Sequence, residues 1–94
     1  MIEFPLPTPL TDDIIECIPA QRAQIEKLMG EGDILSYSVA QDRTRVWAVA
    51  KAESEIALMQ LIGSLPLTDL IRPDFAELAF YMGSTMIFPS FSQN

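Results

Sequence analysis

The spacing of apolar residues divides the chain into six successive stretches, and their order restricts the fold more than any other feature. Residues 1–7 alternate with period 2, which is typical of a strand with one buried face. A stretch with helical spacing follows, then two alternating stretches, a second helical stretch and a last alternating one. The sequence therefore predicts strand, helix, strand, strand, helix, strand.

The ends of the first helical stretch are marked by capping residues. Residues 11–13 (Thr-Asp-Asp) supply side-chain oxygens and negative charge for an N-terminus, and Gly30 and Gly32 favour a left-handed end. Pro19 removes one helical hydrogen bond, so we expect a kink or a restart near residue 18. The apolar stripe of this helix comprises Ile14, Ile18, Ile25, Leu28 and Met29.

The middle strands form a predicted hairpin, in which residues 33–40 and 45–51 flank the polar turn 41–44. Ser54 is a natural N-cap for the second helix, and Gly63 and Pro66 end it. The apolar stripe of this helix comprises Ile56, Met59, Ile62 and Leu65.

The last strand is predicted over residues 74–82, followed by an apolar tail that we expect to pack on its own subunit or on a neighbour. Its alternation places Ala76, Leu78, Phe80 and Met82 on one face, and Phe75, Glu77, Ala79 and Tyr81 on the other.

This order of elements predicts an α+β, ferredoxin-like βαββαβ fold: an antiparallel four-stranded sheet with two helices on one face. Right-handed crossovers place the first and third strands at the centre. The face under the helices is uniformly apolar and includes Ile2, Phe4, Leu6, Val46, Ala48 and Ala50. The opposite face is mixed and carries Glu3, Arg45, Trp47, Val49, Glu77, Ala79 and Tyr81.

One layer of helices leaves that mixed face uncovered, so a second sheet must cover it at least in part. The simplest solution is an isologous homodimer in which two sheets face each other. A chain of 94 residues buries a modest share of its surface, which also favours a partner. We therefore expect one domain over residues 1–94, a dimeric α+β barrel with a core of 1–82 and a tail of 83–94.

Composition excludes several classes of function. The net charge of −7 and the absence of a basic cluster argue against nucleic acid. The chain has no histidine and only Cys17, so zinc and haem sites lose their usual ligands, and we expect no metal and no cofactor. We also expect no membrane association, since no apolar run approaches the ~18–20 residues of a bilayer span. The N-terminus lacks a signal-peptide pattern, which predicts a cytoplasmic protein.

Two short motifs carry a resemblance to a known family. Residues 54–58 (Ser-Glu-Ile-Ala-Leu), together with the Leu-Pro-Leu at 65–67, resemble the second helix of muconolactone isomerases. Residues 28–32 (Leu-Met-Gly-Glu-Gly) are similar to the end of that family's first helix, and the spacing and chain length agree. The resemblance covers about residues 1–82. It implies a dimeric α+β barrel, with dimers able to assemble further, and enzymes that shift a proton on a lactone ring without a cofactor.

The sequence departs from the family where the chemistry would lie. Muconolactone isomerases carry acidic residues in the middle of the first helix, whereas residues 19–23 here read Pro-Ala-Gln-Arg-Ala. They also place His-Pro shortly after the last strand, where residues 82–85 read Met-Gly-Ser-Thr. The resemblance therefore implies the fold and no catalytic residues, and it predicts that ordinary muconolactone isomerase activity is absent or very weak.

The candidate site residues come from the mixed sheet face itself. Glu3, Arg45 and Glu77 can meet there, with Glu3 or Glu77 as a catalytic base and Arg45 holding an enolate or a substrate carboxylate. The alternative is an Arg–Glu pair that satisfies buried charge at a dimer interface. Trp47 and Tyr81 would form an aromatic wall, which suits either a substrate pocket or an interface. Cys17 has no base nearby and is expected to be an inert thiol.

Two functions therefore stay open at the level of sequence. The first is a cofactor-free enzyme, or its degenerate relative, that acts on a small anionic or lactone-like ligand in the cleft of the barrel. The second is a non-enzymatic ligand-binding or assembly module on the same homodimeric scaffold. An open pocket beside Arg45 favours the first function, and a filled barrel with Arg45 fully paired favours the second.

Overall fold

The computed structural model describes residues 1–79, and these form an antiparallel four-stranded sheet with two helices. The strands are β1 (Ile2–Pro5), β2 (Ile34–Val39), β3 (Arg45–Ala50) and β4 (Asp74–Phe75). The helices are α1 (Asp12–Gly30) and α2 (Glu55–Gly63), with a 3₁₀ helix at Pro66–Asp69. The strand order is β2-β3-β1-β4, so the first and third strands are central, as the sequence predicts. The α+β ferredoxin-like fold is confirmed.

The core lies between the helices and one face of the sheet. Ile2 and Phe4 of β1 and Val46 and Ala48 of β3 are all at most 4% exposed, as period-2 alternation predicts. These strand residues form one apolar cluster with residues of the two helices and of the segment after α2, namely Ile14, Ile25, Leu28, Ile62, Leu65 and Leu67.

Helix α1 differs from the prediction in its buried face. It runs from Asp12 to Gly30 without a break, with Pro19 inside it. Ile18 is exposed instead of buried, while Gln21 is buried and Cys17 packs against the core. The positions 14, 17, 21, 25 and 28 follow helical spacing as well as the predicted stripe does, so tertiary packing chose between two compatible faces. Met29 is also exposed.

Helix α2 begins at the predicted N-cap, where the Ser54 hydroxyl accepts a hydrogen bond from the Ala57 N–H at 3.1 Å. Its predicted stripe is half wrong. Ile62 and Leu65 are buried, but Ile56 is 72% exposed and Met59 is exposed as well. Leu58 and Leu61 pack against the core in their place.

Strands β2 and β4 also depart from simple alternation. A bulge at Leu35 shifts the pairing between Ile34 and Ser36, and Leu35 itself is exposed. In β4, Phe75 pairs with Ile2 and Asp74 pairs with Glu3. Directly paired residues share a face, so Phe75 lies on the helix-covered side, opposite to the prediction.

Only Asp74 and Phe75 of the predicted strand 74–82 form β4 within the described residues. Residues 76–79 follow without further strand structure. The remaining positions of that strand, including Phe80, Tyr81 and Met82, and the tail 83–94 lie outside the described residues.

Candidate functional site

The open face of the sheet, which no helix covers, brings three predicted site residues together on the two central strands. Glu3 of β1 pairs directly with Trp47 of β3, and Pro5 pairs with Arg45. Their neighbours along each strand point into the core, so all three side chains lie on the open face. Trp47 is half-buried, although no described element packs over this face.

The Glu3 carboxylate is held at both oxygens. The Trp47 Nε1–H donates to Glu3 Oε1 at 3.2 Å, and Arg45 Nη1 donates to Glu3 Oε2. The two donors fix the orientation of the carboxylate plane against the sheet. Each oxygen keeps a lone pair that can accept a further hydrogen bond.

The Arg45–Glu3 ion pair faces solvent rather than a sealed interior. The Arg45 side chain is 50% exposed and the Glu3 side chain is 29% exposed. Solvent screens a pair of this kind, and its contribution to stability is about 1 kcal/mol or less. Only Nη1 of Arg45 is engaged within residues 1–79, so most of its N–H donors remain free to meet an anion.

Glu77 does not join this cluster. It follows the end of β4 and is exposed, and the strand register places Asp74, not Glu77, opposite Glu3. The described residues therefore do not bring Glu77 together with Glu3 and Arg45, and a role for Glu77 stays a prediction. Tyr81, the other half of the predicted aromatic wall, lies outside the described residues.

Sequence reasoning missed Asp74 and Ser38 as members of the open face. Ser38 of β2 pairs with Trp47, on the side away from Glu3. In β2, Ser36 and Ser38 alternate with apolar residues, which indicates that the two serines share a face. The hairpin register with β3 then places that face on the open side of the sheet. Asp74 had no comparable signal. Residues 75–82 are apolar at nearly every position, so their alternation does not show which face of the sheet each residue of this strand occupies.

A second polar group lies on the opposite side of the sheet, inside the helix layer. Gln21 is only 4% exposed, and its Oε1 accepts from the Leu67 N–H at 3.0 Å, while its Nε2 has no partner in the described part of the chain. Burial raises the pKa of the Tyr37 hydroxyl, an effect that the nearby Gln21 side chain reduces. Burial also raises the pKa of the Cys17 thiol, and Asp13 adds to this. The Tyr37 hydroxyl and the Cys17 thiol are therefore poorly suited to ionise.

A groove of about 640 Å³ lies where β3 ends and α2 begins, beside β4. Its apolar lining includes Leu35, Val49, Leu58, Phe75 and Leu78. Glu3, Arg45 and Trp47 are not among its lining residues, so the groove and the open-face cluster are separate features.

The described residues show no group of three or more His, Cys, Asp or Glu side chains arranged to hold a metal ion. Neither helix within residues 1–79 combines the length and the apolarity that a bilayer span requires.

The fold and this open-face cluster define a small α+β protein of the ferredoxin-like class, with a sheet face that displays an aromatic residue and an ion pair. The family model for muconolactone delta-isomerase matches residues 2–82. The chain therefore belongs to the muconolactone delta-isomerase family, as the two short motifs indicate. No curated protein and no solved structure matches it.

Proposed function

We propose that the protein is a homodimer that binds a small organic anion between the open faces of two facing sheets. The observation that carries the proposal is the Glu3–Arg45–Trp47 cluster at the centre of a sheet face that no described helix covers. Trp47 and Val49 are partly buried on that face and are apolar, which suits contact with a second sheet. The further assembly of dimers and the cytoplasmic location stay predictions.

The chemistry of Arg45 defines the class of ligand. A guanidinium presents its N–H groups in a planar fork that matches a carboxylate, and Glu3 occupies only one of its nitrogens. The Trp47 ring supplies an adjacent apolar wall for the carbon skeleton. The ligand is therefore a small carboxylate with a flat or apolar body, such as a lactone that carries an acid group.

The proposed reaction is a proton transfer without a cofactor. Glu3 would take a proton from a ring carbon that is conjugated with the lactone carbonyl and return it to the carbon next to that carbonyl, so that the ring double bond shifts, while Arg45 stabilises the negative charge between the two steps. Family membership supports this reaction. The missing carboxylate in the middle of the first helix and the missing His-Pro motif support a low rate for this reaction.

The second candidate is ligand binding without turnover. It is favoured by the two hydrogen bonds that already engage both oxygens of Glu3. In this case Glu3 positions Arg45 and Trp47, and the anion binds without losing a proton.

A thermal-shift experiment with muconolactone as the probe tests the anion site. A ligand at ~100 times its Kd stabilises the folded state by about 2.7 kcal/mol. Arg45→Met should lose this stabilisation and keep a Tm near the wild-type value, because the ion pair is half exposed. Arg72→Met removes the same charge from an exposed position and should keep the ligand shift. An equal shift in wild type and Arg45→Met would refute the site.

Proton exchange in D₂O separates the two candidates. If Glu3 transfers the proton, NMR should show deuterium entering the ring of muconolactone with wild type and not with Glu3→Gln. If the protein only binds, neither protein exchanges the proton while the thermal shift of wild type persists. Turnover in the common range of about 1–1000 per second would contradict the prediction of weak activity.

Sedimentation tests the dimer independently of any ligand. A stable folded monomer at micromolar concentration would refute it. Trp47→Asp should weaken association and folding, because it places an uncompensated charge in the layer between the sheets. Ile56→Asp on the exposed surface of α2 is the matched control and should leave the sedimentation unchanged.

A further inference from the structure

The apolar groove beside β4 exposes large apolar side chains close to the end of the described residues. Leu35 on β2, Phe75 on β4 and Leu78 beyond it line the groove, and they are 43%, 42% and 40% exposed. These are large apolar side chains left facing solvent along one connected depression. An apolar surface of this kind usually marks a contact site.

The described part of the chain ends beside this groove. Residues 75–78 line the groove, and residues 80–94 follow after Ala79. Those 15 residues contain no charged side chain, in a protein whose charged content is 20%. Their large apolar members are Phe80, Tyr81, Met82, Met86, Ile87, Phe88 and Phe91.

Charge also favours this occupant. The groove lining carries the carboxylates of Glu53, Glu55 and Glu77 against one basic side chain, Lys51, and the N-terminal ammonium of Met1. A partner surface as acidic as the rest of this chain would be repelled, whereas an uncharged segment meets no repulsion. The connection from the groove wall is long enough to turn back, because the seven residues from 80 to 86 can extend over roughly 23 Å.

We propose that the segment 86–91 binds in this groove of its own subunit and covers Leu35, Phe75 and Leu78. Binding removes apolar surface from water on both sides, and the short connection keeps the loss of chain entropy small. This inference concerns a surface apart from the Glu3–Arg45–Trp47 cluster and does not depend on the proposed function.

Limited proteolysis of the full-length protein tests the proposal. Chymotrypsin cleavage after Phe91, followed by mass spectrometry, reports how often the segment leaves the groove. Leu35→Glu places a carboxylate in the groove at an exposed position and should speed this cleavage about fivefold, since a half-exposed leucine contributes roughly 1 kcal/mol of burial. Val39→Glu is the control, because Val39 lies on the same strand, is 47% exposed and does not line the groove.

Leu78→Glu is a second variant on the other wall, and it should accelerate cleavage as well. Equal cleavage rates in wild type, both groove variants and the control would overturn the proposal. Wild-type protection that disappears on dilution would also overturn it, because the segment of a second copy would then fill the groove. A bound small molecule in native mass spectrometry of the purified protein would overturn it in favour of a ligand.

Discussion

Gln21→Glu should make the stability of this protein strongly dependent on pH. Gln21 is 4% exposed, and its side chain links α1 to the 3₁₀ helix through the hydrogen bond from the Leu67 N–H at 3.0 Å. A protonated glutamic acid has nearly the same shape and keeps the accepting oxygen. An ionised one places a charge in a buried position on the face of α1 that also carries Ile25 and Leu28.

The sign of the effect follows from the pKa of the new carboxyl group. It is about 4.3 in the unfolded chain, and burial raises it in the folded one, by up to 3–5 units for fully buried groups. Between these two pKa values the unfolded state releases its proton first, so stability falls as pH rises. With one donor already in place, we take a rise of about 2 units, which corresponds to ~2.7 kcal/mol lost at neutral pH.

Thermal unfolding followed by circular dichroism from pH 4 to pH 8 provides the measurement. For a domain of this size, 1 kcal/mol shifts Tm by about 4–8 °C, so the variant should unfold roughly 10–20 °C below wild type at pH 8. Near pH 4 the two should differ by a few degrees at most. Gln24→Glu is the control: Gln24 lies one turn away, is only partly buried, and donates to Ser64 Oγ at 3.1 Å. If the Tm difference between Gln21→Glu and wild type were the same at pH 4 and pH 8, Gln21 would not be buried as the structure has it.

Three further outcomes are expected. Ser54→Ala removes the hydroxyl that caps α2 and should cost about 1 kcal/mol, seen as a lower midpoint in urea with an unchanged m-value; no change would mean that another group caps the helix. Gly32→Ala should lower Tm, because Gly32 has a φ of +82° and an alanine there is strained by roughly 1 kcal/mol, whereas Gly30→Ala at the end of α1 should be neutral or stabilising. Cys17 should react with a disulfide reagent more slowly than free cysteine at pH 8, because its pKa is raised by burial and by Asp13; an equal rate would place the thiol in solvent.

The local pattern of the sequence determined the order of the elements and the two faces of the central strands. In β1 the apolar Ile2 and Phe4 alternate with Glu3 and Pro5, and in β3 Arg45 marks the polar face, so Phe4 and Val46 enter the core while Glu3 and Trp47 stay on the open face. Antiparallel pairing of two such strands is enough to bring Glu3, Trp47 and Arg45 together. This part of the candidate site could be predicted because period 2 allows only two orientations.

Tertiary packing selected the buried face of an element wherever the local pattern allowed more than one. Helix α1 has apolar residues on more than one side, and only contact with the sheet and the 3₁₀ helix selects Gln21 for burial over Ile18. In the same way, residues 75–82 are apolar on both faces, so pairing with β1, and not alternation, sets Phe75 against Ile2 and separates Glu77 from the site. When two faces of an element are equally apolar, burial free energy barely distinguishes them, and the neighbouring elements determine the orientation.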